Sequence, residues 1–206
     1  MSKNPLAVST VQQICNRARI LGNQLARANT HLHFFTGLLG RYGDLCRQKD
    51  FWDYTLAAHG GMAIRDLGVI YDTHRDGVNL NNLLALVDRK GLDVSGKQRL
   101  QAFIALVSRS SADADVRSLR QWRNNIVAHF NDRIAATDRE GFSRQNQLDE
   151  AMLQRLIDKG FEVIEWCGRI CGDSRAFPRF PEGKDGHVAV LEALGAHRKQ
   201  SGSTVR

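Results

Sequence analysis

Val11-Gln12-Gln13-Ile14-Cys15-Asn16-Arg17-Ala18-Arg19-Ile20-Leu21-Gly22-Asn23-Gln24-Leu25 is the stretch that decides the kind of fold this chain makes. Its residues Val11, Ile14, Cys15, Ala18, Leu21 and Leu25 recur at steps of three and four, the spacing of one helix face. Prolines stand only at 5, 178 and 181, so residues 6–177 contain none. A span of that length without proline suits an all-helical fold and is rare in loop-rich β proteins. No stretch alternates apolar and polar residues long enough to predict a strand.

Working outward, the spacing predicts one long helix, or two, over Leu6 to Arg47, with Gly37 and Gly40 as the points where it can bend. Asp50 is the expected N-cap of a helix from Phe51 to about Asp72. That helix carries Trp52, Thr55, Ala63, Leu67 and Ile70 on its stripe, and Gly60 and Gly61 either weaken it or let a neighbouring backbone come close. Asn79 precedes a short helix that ends before Gly91, and Ser95 is the expected cap of the next, running past Phe103 to Val107. Asp113 starts a helix with Val116, Leu119, Trp122, Ile126 and Phe130, where Trp122 reads as core and not as a base-stacking platform. The polar run from Ala136 to Gln147 reads as a loop, and Leu148 to Cys171 as the last long helix. These elements predict an antiparallel all-α helical bundle over residues 1–172. Residues 173–206 follow as an extended, proline-containing segment, a short helix and a polar tail.

The chain has 206 residues, 42% hydrophobic and 25% charged, which supports a single domain with its own core and excludes general disorder. No apolar run approaches the roughly 20 residues that cross a bilayer. The opening MSKNPLAVSTVQQ lacks a basic region followed by an apolar one. A cytoplasmic location without membrane association is the expectation. The net charge is +7, and arginine outnumbers lysine 22 to 7. That balance favours an anionic partner and bidentate contacts to phosphate, although charge alone does not name it.

Cys15, Cys46, Cys167 and Cys171 are too few and too scattered for a disulfide scaffold, and read as small buried apolar residues. The seven histidines form no cluster with metal-ligand spacing. No phosphate-cradling GxxxxGK[ST] loop and no GxSxG elbow occurs. Neither a metal nor a cofactor is expected.

One constellation stands apart: Arg120-Gln121-Trp122-Arg123-Asn124-Asn125-Ile126-Val127-Ala128-His129. Two arginines can fork onto phosphate, and a histidine can move a proton near neutral pH. Those abilities are what metal-independent RNA cleavage needs. The attacking 2′-hydroxyl loses a proton, the phosphorane is stabilised, and the leaving 5′-oxygen gains a proton.

The stretch resembles the RNase motif of the HEPN superfamily, an arginine, a polar residue, a short spacer and a histidine, matched here by Arg123, Asn124 and His129. The segment FWDYTLAAHGGMAIRDLGVIYD (residues 51–72), followed by LNNLL (80–84), is similar to one that precedes the motif helix in the abortive-infection AbiU-like branch. The resemblance spans about Phe51 to Cys171. It implies a HEPN-like bundle that forms a homodimer through the motif helix. It also implies a metal-independent endoribonuclease, a toxin or phage-defence effector that cuts RNA by 2′-hydroxyl transesterification. Arg123, Asn124 and His129 are then the catalytic residues, and Arg120 and Asn125 contact RNA. The implied partners are RNA, a second copy of the chain, and a cognate antitoxin or other defence component. HEPN toxins silenced by nucleotidyltransferase antitoxins often carry a tyrosine two residues after the histidine. This chain has Asn131 there.

Residues six apart on an α-helix differ by about 240° and 9 Å of rise, so Arg123 and His129 do not share a face within one chain. Asn125 and His129, four apart, do. A two-fold pairing would gather two arginines and two histidines, one histidine acting as base and its mate as acid. The reading from a different class is a non-catalytic helical module that binds RNA, nucleotide or protein through the same basic surface; a third is a purely structural dimer in a defence system.

Overall fold

Ser9, Asn79, Asp113 and Asp149 each stand one residue ahead of a helix. The side-chain oxygen of each accepts a hydrogen bond from the backbone N–H three residues on, at 3.2, 2.8, 3.1 and 2.7 Å respectively. Each cap satisfies one of the donors that a helix start leaves without an internal partner. The computed structural model describes residues 9–41, 49–89, 94–127, 148–172 and 177–179, together with residue 192. Among them lie six α-helices: α1 (Thr10–Leu39), α2 (Lys49–Ile70), α3 (Leu80–Asp88), α4 (Val94–Val107), α5 (Ala114–Trp122) and α6 (Glu150–Ile170). A π-helical turn, Arg123–Val127, follows α5 directly. The described residues contain no strand, as the missing alternation predicted.

Several boundaries differ from the sequence expectation. Among the described residues the first helix runs unbroken through Gly37 and stops before Gly40, whose N–H bonds back to the Thr36 carbonyl. Asp50 and Ser95 are not caps, because each lies one residue inside its helix. For Asp50 the cost is small, since a carboxylate anywhere in the first turn faces the positive end of the helix dipole. The helix from Asp113 does not continue as regular α-helix to Phe130, because the winding changes at Arg123. Residues 42–48, the expected loop 136–147 and nearly all of 180–206 lie outside the described residues.

α1 runs along both α2 and α6, and α2 also meets α5 and the π turn. The core between them is a continuous cluster in which Ile14, Leu21 and Leu25 of α1 are joined by Leu67 and Ile70 of α2 and by Leu156, Phe161 and Ile164 of α6. Fully burying such side chains is favourable by about 1.5–3 kcal/mol each, against the entropy of ordering the chain. Val11, placed on this stripe by its spacing, lies at the exposed end of α1. Cys167 is buried, as expected, whereas Cys15 and Cys171 are half-buried and Cys46 lies outside the described residues. Trp122 is half-buried and lies outside the buried clusters. A glycine with positive φ, Gly172, turns the chain after α6. Beyond it Phe177 lays its ring against Gly22 of α1, and the Arg179 carbonyl accepts from Asn29 Nδ2 at 2.9 Å. Arg179 also stacks its guanidinium 4.3 Å over the Phe161 ring and bonds Asp158 at 2.9 Å.

Candidate functional site

Two helices, α2 and α4, end without a basic residue in their own last turn. Arg120 of α5 supplies one to both. Its Nε and Nη2 donate to the Tyr71 carbonyl at 3.1 and 2.9 Å, just past the end of α2. Nη2 and Nη1 donate to the carbonyls of Val107 and Ser108, at the end of α4, both at 2.6 Å. A guanidinium is well suited to this task, because its fixed fork reaches several orphan carbonyls and its charge complements the negative ends of two helix dipoles. Burial lowers its pKa, opposed by Asp72 and reinforced by Arg123. Sequence reasoning placed Arg120 on an RNA-contacting surface. Its donors instead face protein carbonyls.

Tyr71, whose carbonyl Arg120 holds, is itself fully buried and donates its hydroxyl to the Leu156 carbonyl of α6 at 2.6 Å. Burial raises its pKa, so the hydroxyl keeps its proton and remains a donor. The end of α2 is thereby fixed to α6 on one side and to α5 on the other.

The next residue, Asp72, takes Arg123. Arg123 Nη2 lies 2.9 Å from Asp72 Oδ2, and Asp72 Oδ1 accepts from the Thr73 N–H at 2.7 Å. Both side chains are about one quarter exposed, so the pair is partly shielded but open to a ligand. The Arg123 stem crosses Gly68 of α2, where an added Cβ would stand 2.9 Å from Cγ and Cδ. Glycine at 68 is what lets the π turn approach α2 this closely. Single π turns inside helices are rare and often found at functional sites. Here the turn begins at Arg123 itself.

Asn124 is exposed on the turn. The Asn125 amide turns back along the helix and donates to the Gln121 carbonyl at 2.9 Å and to its side-chain oxygen at 3.0 Å. His129 lies outside the described residues. Arg120 and Arg123 are thus brought to one place, the end of α2 at Tyr71–Asp72. The sequence reading missed Asp72 and Gly68. Their signal lay in the segment GVIYDTHRDG (68–77), a helix exit followed by Asp, Thr and Gly.

An open cavity of about 440 Å³ adjoins the ion pair, lined by Asp72, Thr73, His74, Arg75, Asp76 and Arg109. The loop that forms it is tied from within. Asn82 Nδ2 lies within hydrogen-bond distance of the carbonyls of His74, Arg75 and Gly77, at 3.0, 2.9 and 2.6 Å, and Asn79 Nδ2 donates to the His74 carbonyl at 2.8 Å.

A second group of titratable residues joins α1 to α2. Arg27 forks onto the buried Asp66 at 2.6 and 2.7 Å, and His31 Nδ1 lies 3.0 Å from His59 Nδ1. Of those two ring nitrogens one must donate and the other accept. Burial lowers the His31 pKa; Asp66 opposes the shift and Arg27 adds to it. The described residues contain no group of side chains able to hold a metal ion, and none of the described helices is long and apolar enough to cross a membrane.

Comparison with known proteins adds one finding. The family model of the AbiU2 HEPN domains matches residues 12–187, from the first turn of α1 through α6, with the stretch from Arg120 to His129 inside it. No curated protein and no solved structure matches the chain.

Proposed function

This chain belongs to the HEPN AbiU2 family, and from that premise we propose that it is a metal-independent endoribonuclease that serves as an abortive-infection or toxin-type defence effector. The observation that carries the reading is the Arg123-Asn124…His129 motif, whose arginine starts a π turn and is aimed by Asp72 across Gly68. Arg123 stabilises the charge that develops on the phosphorane. His129 removes the proton of the attacking 2′-hydroxyl or returns one to the leaving oxygen, and Asn124 supports them at the exposed start of the turn. Two chains pair about a two-fold axis, so that two arginines and two histidines serve a shared cleft. RNA is the substrate, and an antitoxin or a further defence component is the expected regulator.

The test is direct. Purified protein is incubated with mixed RNA in EDTA, beside a His129→Ala variant shown by circular dichroism to be folded. Cleavage by the parent and not by the variant is the expected result. Equal cleavage by both would assign the activity to a contaminant and end the catalytic reading.

A second reading draws on one observation of its own. The Arg123 guanidinium is already paired with Asp72, as a purely structural arginine would be. A non-catalytic HEPN module that binds RNA, nucleotide or a protein partner would keep this pair and show no cleavage in the same assay.

A further inference from the structure

Arg75 and Arg109 reach the same cavity from different parts of the chain, the loop after α2 and the residue pair after α4. Both are exposed, and neither has an ion-pair partner among the described residues. The two arginines nearest to this cavity are committed, Arg120 to carbonyls and Arg123 to Asp72. The floor between Arg75 and Arg109 does not need to be organised by a ligand, because Asn79 and Asn82 already hold three of its carbonyls. Asp72 lines the cavity and also bonds Arg123, so the cavity opens within one side-chain length of that guanidinium.

Charge and shape narrow the ligand. With Asp72 neutralised by Arg123, two guanidiniums face one free carboxylate, Asp76, and the His74 imidazole beside it. Two unpaired forks across an open cleft suit a phosphodiester oxygen pair. A single strand that passes through can leave by the open side, whereas a closed pocket would select a free nucleotide. Asp76 repels phosphate and accepts hydrogen bonds, so it suits the sugar hydroxyl or base edge beside the bound phosphate.

We propose that the cavity formed by Arg75, Arg109, His74 and Asp76 is a phosphate subsite for single-stranded RNA, holding the strand next to the phosphate that Arg123 contacts. The inference rests on the ribonuclease reading for the identity of its ligand, but its test does not depend on cleavage. The probe is a fully 2′-O-methylated RNA oligonucleotide, which lacks the attacking hydroxyl and is not cut. Its affinity is measured by fluorescence anisotropy from 50 to 300 mM salt for the parent and for R75A, R109A and the double variant. Arg19→Ala, an exposed arginine of α1, serves as the control for net charge. Each guanidinium removed from the cavity should flatten the log–log salt slope by about 0.7, and the double variant should bind on the order of a hundredfold more weakly at low salt. Thermal midpoints of all variants are expected to match the parent, because the substituted side chains are exposed.

A double variant that binds with the parent's slope and affinity, or that loses no more than Arg19→Ala does, overturns the subsite. If the double variant shows that loss while unmodified RNA is not cut by the parent, the ribonuclease reading fails and the subsite stands. If unmodified RNA is cut and the double variant raises KM while kcat is kept, both stand.

Discussion

The guanidinium of Arg120 lies 2.9 Å from the carbonyl oxygen of Tyr71 and, through the same Nη2, 2.6 Å from that of Val107. One side chain therefore closes two helices that are separate in sequence. Its replacement by alanine leaves three carbonyls at helix ends without their donor in a half-buried setting. Hydrogen bonds to charged groups contribute about 1.5–3 kcal/mol each where the acceptor stays buried, and here part of the loss is recovered by water. A total near 3 kcal/mol corresponds to a thermal midpoint lower by roughly 6–12 °C in a chain of this size. Arg120→Lys should rescue only part of it, since an ammonium cannot span the same fork. Differential scanning calorimetry measures the shift. A midpoint unchanged by Arg120→Ala would show that the carbonyls find other partners.

Substitutions at Asp72 and Gly68 are expected to change RNA cleavage more than stability. In Asp72→Asn the Arg123 guanidinium loses its charged partner and wanders between orientations, which should lower kcat by about tenfold or more, while the thermal midpoint moves by a few degrees at most. Gly68→Ala removes about 1 kcal/mol of helix penalty from α2, but its Cβ falls where the Arg123 stem now lies. The stem must shift. A variant as stable as the parent and slower in RNA cleavage is the expected outcome, and parental kcat in both variants would detach Arg123 positioning from catalysis.

What was legible in the sequence was what is encoded locally. Asn79 and Asp113 were readable as helix starts because the capping bond each makes spans only three residues. The stripe of α1 was readable because burial repeats at the helix period, although Val11 in its first turn is exposed and Cys15 only half-buried. The motif arginine was readable as a chemical type in a pattern. Its aim was not, because Asp72 lies 51 residues away along the chain and nothing in either neighbourhood signals the other. The carbonyls that Arg120 holds were unreadable for the same reason. A helix-surface arginine looks identical in sequence whether it faces solvent or the ends of two other helices. The π turn was hidden because the apolar spacing of Leu119, Trp122 and Ile126 fits regular α winding.

The burial of His31 predicts how stability depends on pH. The His31 pKa in the folded chain is below its ordinary value, and in the unfolded chain it returns to about 6.5. Between those two values the unfolded chain binds more protons, so stability rises with pH across that window and is fully present above it. Acidification from pH 7.5 to below 6 should lower the thermal midpoint, and His31→Gln should flatten that part of the profile. A parent midpoint that stays level from pH 7.5 to 5.5 would mean that burial of His31 does not disfavour its charged form.

The chemistry of the cut ends tests the proposed mechanism apart from the existence of activity. If the RNA's own 2′-hydroxyl attacks, the bond from phosphorus to the 5′-oxygen breaks as the bond to the 2′-oxygen forms. The products then carry 2′,3′-cyclic phosphate and 5′-hydroxyl ends, and a single 2′-deoxy nucleotide at the cut site blocks cleavage. Arg123→Ala should slow the reaction by about a hundredfold or more, the usual cost of losing one donor to the developing charge, on the order of 3 kcal/mol. If two histidines share the base and acid roles, the rate passes through a maximum with pH, and its two apparent pKa values belong to the pair. Mixing inactive Arg123→Ala and His129→Ala chains should restore part of the activity as subunits exchange, because the shared cleft of the mixed dimer regains one arginine and one histidine. Ends bearing 5′-phosphate, or mixed chains as inert as either parent variant, would require a different attacking group or a site built within one chain.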